Sequence, residues 1–306
     1  MTDASIVVAG SSNTDMVIKA ARLPAPGETI LGGAFFMNAG GKGANQAVAA
    51  ARLGGNVTFI AKLGNDIFGK QALQLFNEEG INTSCVMVDS QLPSGVALIT
   101  VDESGENCIA VASGANAALM PADIEAIEDT IATAEIILMQ LEIPVETVEY
   151  ISALAKKYGK KLILNPAPAR PLGDGVLGNI SVITPNQTEA GILTGIAVTD
   201  EVTAIAAAVV LREKGIEHVI ITLGENGALV YSHNEYKTVT PPKVTAVDTT
   251  AAGDVFNGAL AVALCEGMNI FDAAEFACKA AAISVTRLGA QASAPGRNEI
   301  INALPS

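Results

Sequence analysis

Short β-rich runs ending in Gly, Asn or Asp alternate with longer helical patterns over most of this sequence, and few folds tolerate that alternation. The β-rich runs are 5–9 (SIVVA), 57–63 (VTFIAKL), 136–141 (IILMQL), 161–165 (KLILN), 182–186 (VITPN) and 219–224 (VIITLG). Apolar spacing predicts helices over 43–53, 69–79, 121–133, 144–157, 201–214 and 252–266. Strand, helix and strand in succession close as right-handed parallel crossovers. The expected fold class is therefore α/β: an open, mostly parallel sheet sandwiched by helices, with ligands at the carboxyl ends of its strands. Half of the 306 residues are hydrophobic, yet only 4% are aromatic and none is Trp. The core must rest on Ala, Val, Ile and Leu, which suits a sheet buried on both faces.

Two segments break the rhythm. Residues 15–39 (DMVIKAARLPAPGETILGGAFFMNA) read as strand, Pro/Gly turn and strand, and residues 94–113 hold a hairpin around Glu103-Ser104-Gly105-Glu106. Both are antiparallel in character and able to pair into one small β sheet, an appendage or lid. With no internal repeat, low-complexity tract or linker, residues 1–306 read as a single domain carrying that inserted lid.

Eighteen Lys and Arg stand against 32 Asp and Glu, a net charge of −14, and no basic cluster reverses that field locally. Nucleic acid and anionic membrane are excluded as partners. An anionic ligand would have to be held by backbone N–H groups, helix dipoles and a bound cation. The start, MTDASIVVAGSS, has no basic residue and too short an apolar run for a signal peptide, and the longest apolar tract, 205–211, lies in a helical pattern. Cys85, Cys108, Cys265 and Cys278 lack CxxC spacing and there are only two histidines, so neither a zinc site nor a disulfide framework is expected. A reducing, cytoplasmic location follows.

The stretch NAGGKGANQA, 38–47, looks built for phosphate, but a Walker A loop would need Gly where Phe36 stands and Ser or Thr where Gly43 stands. A dinucleotide fingerprint would follow the first strand directly, which this stretch does not. What survives is glycine-rich backbone leading into a helix whose N–H groups at 44–47 are expected to face outward, with Asn45 supplying a donor and an acceptor that match a polyol. A tight strand-to-helix turn accounts for the same residues.

A second loop, VDTTAAGDVFNGA (247–259), precedes a strongly apolar helix. Ala251, Ala252 and Gly253 are small enough to expose consecutive amides at the helix start, as an anion hole requires. Asp254 beside them reads either as a helix cap or as a general base, placed to take a hydroxyl proton while the amides stabilise a transferred group.

Together, GGKGANQAVAAARLG and DTTAAGDVFNGA resemble the two signature stretches of the PfkB carbohydrate kinases, and SSNTDMV, LPAPGETILGG and GGKGANQA resemble the ribokinase branch in particular. MQLEIP, LNPAPAR, TPNQTEA, ITLGENGA and VTRLGAQAS follow in order, so the likeness runs along nearly the whole chain. The resemblance implies ATP-dependent phosphorylation of D-ribose at O5. It places the sugar against Asn13, Asp15, Gly41, Lys42, Gly43, Asn45 and Glu142, with Asp254 as base and the amides of Ala251, Ala252 and Gly253 as anion hole. For ATP it points to Asn186, Glu189, Thr222, Leu223, Gly224, Glu225, Asn226, Gly227 and Gly253. Glu189 corresponds to the acidic member of an Asn-x-x-Glu element that influences Mg²⁺; without the resemblance it reads as an ordinary first-turn residue. A monovalent cation site, for K⁺, falls on Asp248, Thr250, Ser284, Arg287, Gly289 and Ser293, several acting through backbone carbonyls. The family's lid sheets imply a homodimer.

Two positions depart from the family pattern. Ala252 stands where many members have Gly, which leaves the amide accessible if its φ is negative. Cys278 stands where relatives present His or Asn to the nucleotide base, and it reads either as that contact or as a buried structural thiol. Rival readings are a PfkB kinase for deoxyribose, fructose or adenosine, a non-catalytic sugar or nucleotide sensor, and an NAD-dependent dehydrogenase. Asn13, Asp15, Lys42 and Asn45 favour a free pentose, Asp254 with its small-residue loop argues against a sensor, and the misplaced glycines argue against the dehydrogenase.

Overall fold

Strand β1 (Ser5–Ala9) places Ile6 and Val8 in one hydrophobic cluster and Val7 and Ala9 in another, all four almost fully buried. A strand buried on both faces needs helices over both. The computed structural model, which describes residues 5–302, supplies them. The remainder of the expected 1–306 span, 1–4 and 303–306, lies outside the described residues.

The main sheet has nine strands: β1, β4 (Asn56–Gly64), β5 (Val86–Asp89), β8 (Ile136–Met139), β9 (Lys161–Leu164), β10 (Val182–Ile183), β11 (His218–Thr222), β12 (Ala228–Ser232) and β13 (Glu235–Val239). Their order is β13-β12-β11-β10-β9-β8-β1-β4-β5, parallel from β11 to β5. Helices α1 (Lys42–Arg52), α2 (Ile67–Glu78), α9 (Ala252–Cys265), α10 (Ile270–Ser284) and α11 (Arg297–Asn302) pack on the Ile6 face. The Val7 face is covered by α3 (Pro121–Glu125), α4 (Glu128–Thr133), α5 (Val145–Lys157), α6 (Asp174–Leu177), α7 (Gln187–Thr194) and α8 (Glu201–Glu213). No helix among the described residues is long and apolar enough to cross a membrane.

The α/β expectation holds, with local differences. The helix expected over 121–133 is two, because Ile127, at φ −125° and ψ 23°, leaves helical geometry between α3 and α4. The strand expected over 182–186 stops at Ile183, and Asn186 makes only an isolated bridge to Thr222. Strands β12 and β13 add an antiparallel edge that the sequence did not announce. Their turn is made by His233 and Asn234 with φ of 50° and 64°, the left-handed geometry of a tight hairpin built without the usual glycine.

The two irregular segments do pair. Strands β2 (Asn13–Lys19), β3 (Ala34–Gly40), β6 (Gly95–Val101) and β7 (Asn107–Ala112) form a sheet in the order β3-β2-β6-β7. Each segment is antiparallel internally, as expected, while β2 and β6 join in parallel.

One crossing positions everything that follows. Where α9 meets α1, a Cβ on Gly258 would come within 2.7 Å of Gln46 O, 2.8 Å of Ala49 Cβ and 2.9 Å of Ala50 N, so the backbones approach as only glycine permits. Gly258→Ala forces the helices apart, at about 1–3 kcal/mol for overpacking, partly offset by the roughly 1 kcal/mol helix preference of Ala. A net loss of up to about 2 kcal/mol, read as a lower denaturant midpoint at unchanged m value, is the expected result.

Candidate active site

The carboxyl ends of β1, β8, β9, β10 and β11 converge, as an open parallel sheet requires of a binding cleft. The turn after β1 passes so close to α1 that a Cβ on Gly43 would meet Gly10 C and Ser11 N at 2.6 Å. Ser11 O accepts from Ala44 N at 2.8 Å and Ser11 Oγ from Gly43 N at 3.4 Å. Lys42 N donates to Glu142 Oε2 at 3.0 Å, and Ser11 Oγ donates to the same oxygen at 2.5 Å. The amides at the start of α1 are therefore consumed internally. This corrects the expectation that the glycine loop turns them outward: the close approach of β1 takes them first.

Asp254, in the first turn of α9, is only 5% exposed. Its Oδ2 accepts from Asn45 Nδ2 and its Oδ1 from Gln46 Nε2, both at 2.9 Å. Gln46 is fully buried; its Nε2 also donates to Asn165 Oδ1 at 3.1 Å, and its Oε1 accepts from Gln140 Nε2 at 2.6 Å. Asn165 Nδ2 donates to Thr184 O at 3.2 Å, anchoring the chain to the main sheet. Asn45 Oδ1 is buried without a partner, an acceptor held ready in the cleft. A similar support lies under Asn13, whose Oδ1 accepts from Asn116 Nδ2 at 2.8 Å while Asn116 Oδ1 accepts from Ser12 N at 2.9 Å. Gln46, Gln140, Asn165 and Asn116 escaped the sequence reading. They are ordinary amides in separate segments, and only the burial of Asp254 and Asn13 gives them a role.

Beyond Asp254 the loop departs from its expected form. Ala251 caps α9 with φ 59°, left-handed for a residue with a side chain, and Ala252 N already donates to Thr249 O at 3.3 Å. Of the three expected amides, those of Ala251 and Gly253 have no acceptor while that of Ala252 does, and the Asp254 amide next along is free as well. Ala252 itself has negative φ, so the condition on its departure from glycine is met. Asp248 accepts from Thr250 N and Gly289 N, each at 2.9 Å, while Asp248 N donates to Val285 O at 3.1 Å. These bonds gather the Asp248 loop against Ser284, Arg287 and Gly289, with Ser293 in the next turn donating to Ala290 O at 2.8 Å. Arg287's guanidinium turns away to Glu299, leaving its carbonyl as the only part able to ligate a cation.

Asn186 and Glu189 form a reciprocal cap on α7: Asn186 Oδ1 accepts from Glu189 N and Glu189 Oε2 from Asn186 N, both at 2.8 Å. Thr222 N donates to Pro185 O at 2.9 Å, bringing the Asn186 turn beside Thr222, Leu223 and the exposed turn Gly224–Asn226, which closes at Gly227. Cys278 is 5% exposed within the α9–α10 core, and burial pushes its thiol up to about 12. That is the environment of a structural thiol. A separate cavity of about 220 Å³ opens between β3 and α2; of the expected site residues it touches only Asn13, and it contains no carboxylate.

Residues 3–297 match the family described as pfkB family carbohydrate kinase. The chain belongs to that family. A ribokinase of Haemophilus influenzae is 47% identical over 98% of both chains. A deoxyribokinase of Salmonella typhi is 39% identical over 95% of both. Among solved structures, ribokinase from Arabidopsis thaliana complexed with ribose and ATP superposes with a TM-score of 0.93 at 31% identity, covering 98% of both chains. Ribokinase from Thermotoga maritima does so at 0.89 and 40%, covering 97% of this chain and 98% of its own.

In this pfkB kinase the cleft is acidic. Burial, reinforced by the charges of Glu142 and Asp254, raises the Asp15 carboxyl to about 6. Burial likewise pushes Asp254 up, against the pull of Lys42 and the bonds from Asn45 and Gln46, and it raises Glu189. For Lys42 burial works against the charge, but Asp254, Glu142 and Glu189 outweigh it and hold the ammonium protonated above its usual range. Lys42, expected as a sugar contact, is thus also the common counter-ion of three carboxylates.

Because folding raises Asp15 from its ordinary 3.8 to about 6, the native state binds the extra proton between those values, and its stability falls as pH rises through that window. Asp15→Asn removes this decline. Thermal unfolding of both proteins from pH 4 to 8 is expected to show wild type losing, relative to the variant, at most about 3 kcal/mol, with the difference saturating above pH 7. Parallel curves would count against a buried, raised Asp15.

Proposed function

We propose that this chain transfers the γ-phosphoryl group of ATP to O5 of D-ribose, giving D-ribose 5-phosphate and ADP. Asp254 carries the reading: a buried carboxylate gripped by two side-chain amides, beside two amides that have no acceptor. Burial holds its pKa above the usual carboxylate range, so its carboxylate form is a stronger proton acceptor than an exposed one. It takes the proton of the 5-hydroxyl as that oxygen attacks phosphorus, and the amides of Gly253 and Asp254 meet the charge spread over the transferred group. Asp15, Glu142 and the free Asn45 Oδ1 offer acceptors to a donor-rich polyol, and with Asn13 they orient the sugar. The same acceptors disfavour a sugar already carrying phosphate. The ribokinases of Haemophilus influenzae and Arabidopsis thaliana support this substrate assignment.

The turn of Asn186 and the segment from Thr222 to Gly227 hold the nucleotide. Glu189 Oε1, unused by the helix cap, is the group fit to reach Mg²⁺, directly or through water. Hard oxygen donors from Asp248 and the carbonyls of Thr250, Ser284, Arg287, Gly289 and Ser293 suit K⁺, since each Asp248 oxygen keeps a lone pair beyond its one hydrogen bond. Mg²⁺ held near Glu189 would offset phosphate charge that the acidic cleft otherwise repels, and K⁺ held at the Asp248 loop would order that loop. The small sheet carries Asp15 on β2 and acts as a lid that excludes water from the transfer. Ile18, Phe35, Met37 and Leu98 share the face of that sheet opposite Asp15 and are 45%, 60%, 50% and 56% exposed, an apolar surface that a second copy covers in a homodimer. The cytoplasm is the proposed location.

An ADP-release assay over ribose, 2-deoxyribose, fructose and adenosine, with and without K⁺, tests the chemistry. Ribose is expected to turn over fastest, and Asp254→Asn to lower kcat by roughly 10²–10⁴-fold. Gln46→Ala is expected to cost less, roughly 10–100-fold, and to move the acid limb of the pH–rate profile upward, because a donor to the ionised carboxylate is lost. Full turnover by Asp254→Asn would remove the base; a preference for 2-deoxyribose would reassign the substrate. For the assembly, light scattering should give a dimer mass for wild type and a monomer for Phe35→Glu, and a monomeric wild type would overturn the lid contact.

A further inference from the structure

Both histidines of the chain meet at one point, although the sequence places them in unrelated runs. His218 opens β11, and His233 sits in the β12–β13 turn that folds back over it, with ring centroids 5.4 Å apart and planes at 86°. Glu217 stands beside them, and one ligand atom from each of the three lies within 4.8 Å of the others. We infer that Glu217, His218 and His233 form a binding site for one borderline divalent transition-metal ion, Zn²⁺ foremost, which ties the start of β11 to the β12–β13 turn.

The argument rests on the arrangement of lone pairs. His218 Nδ1 lies 2.7 Å from Ser232 Oγ. With the hydroxyl accepting, Nδ1 carries the proton and Nε2 keeps its lone pair, the usual way in which a second partner prepares a metal-binding imidazole. Nε2 then faces Glu217 Oε1 at 3.5 Å, acceptor against acceptor, a contact that a cation between them makes favourable. Imidazole and carboxylate ligands suit Zn²⁺, and three of them leave a fourth position to water. Zinc bonds of about 2.0–2.1 Å require ligand atoms about 3.4 Å apart, and the closing movement falls on the exposed side chains of Glu217 and His233. Lys161 and Arg212 oppose a cation near His218, and the net charge of −14 works in its favour. The site lies at the opening end of β11, whereas Thr222 and the proposed nucleotide contacts lie at its other end, so occupancy leaves the cleft unaltered.

Calorimetric titration of the whole protein with Zn²⁺ alone, without nucleotide, tests this. Wild type is expected to show a saturable site at micromolar concentration and a rise in Tm on loading. His233→Asn keeps a residue that tolerates the left-handed turn, and Glu217→Gln keeps size; each should weaken binding at least about tenfold while ribose-kinase turnover in Mg²⁺ stays unchanged. Co²⁺ bound to wild type should give a visible d–d absorption that His233→Asn lacks. No saturable binding, or binding equally strong in His233→Asn, would overturn the proposal, the latter pointing to the exposed Cys108 or the acidic cleft.

Discussion

The buried carboxylate of Asp254 sets the terms for the structure around it. Removing such a group from water is costly unless donors meet it, and here both donors come from α1, a different part of the chain. That is possible only because α9 and α1 touch backbone to backbone at Gly258, one turn beyond Asp254. The same close approach continues at the other end of α1, where Gly43 lies against Gly10 and β1. Sheet, α1 and α9 are thus locked in one stack, and the amides of Asn45 and Gln46 arrive at Asp254 as a consequence of helix packing.

That stack creates an electrostatic difficulty which the rest of the cleft addresses. Across it the charges of Glu142 and Asp254 raise Asp15, and that of Asp254 raises Glu189, yet the proposed co-substrate is a polyanion. Lys42 offsets part of the charge, and the Gly253 and Asp254 amides supply positive dipole without a titratable group. Acceptors suit a sugar; dipoles and cations suit phosphate. On the proposed reading the two ligands sort themselves along the cleft by chemistry as well as shape, with Lys42 and Asp254 at the junction where transfer would occur.

How much of this was legible varied with the range of the interaction. Alternation of Ile6, Val7, Val8 and Ala9 between two faces is local, and the parallel sheet follows from it. The β12–β13 hairpin was not visible, because His233 and Asn234 adopt positive φ where the expected signal is glycine. Asp254 was legible because small residues and a carboxylate adjoin in sequence. Gln46, Gln140 and Asn165 were not, since nothing in their spacing tells that three buried amides will line up behind one carboxylate. The outward amides expected of the glycine loop failed for a related reason: Ser11 and Glu142, which consume them, lie in the distant loops after β1 and β8.

The strain at Ala251 shows how distant segments impose a local geometry. Left-handed φ on a residue with a Cβ costs about 1–2 kcal/mol, so something must over-determine it. Val255 N bonds to Ala251 O to begin α9, while the chain just before is pinned through Asp248 to Thr250, Val285 and Gly289. With both ends fixed, Ala251 has no relaxed conformation that still leaves the Gly253 and Asp254 amides free of an acceptor. The oxygens around Asp248 that are proposed to hold K⁺ belong to this same pinning. A cation there therefore acts on the transferred group through the shape of the loop, and its effect would fall on the rate of transfer more than on the affinity for sugar.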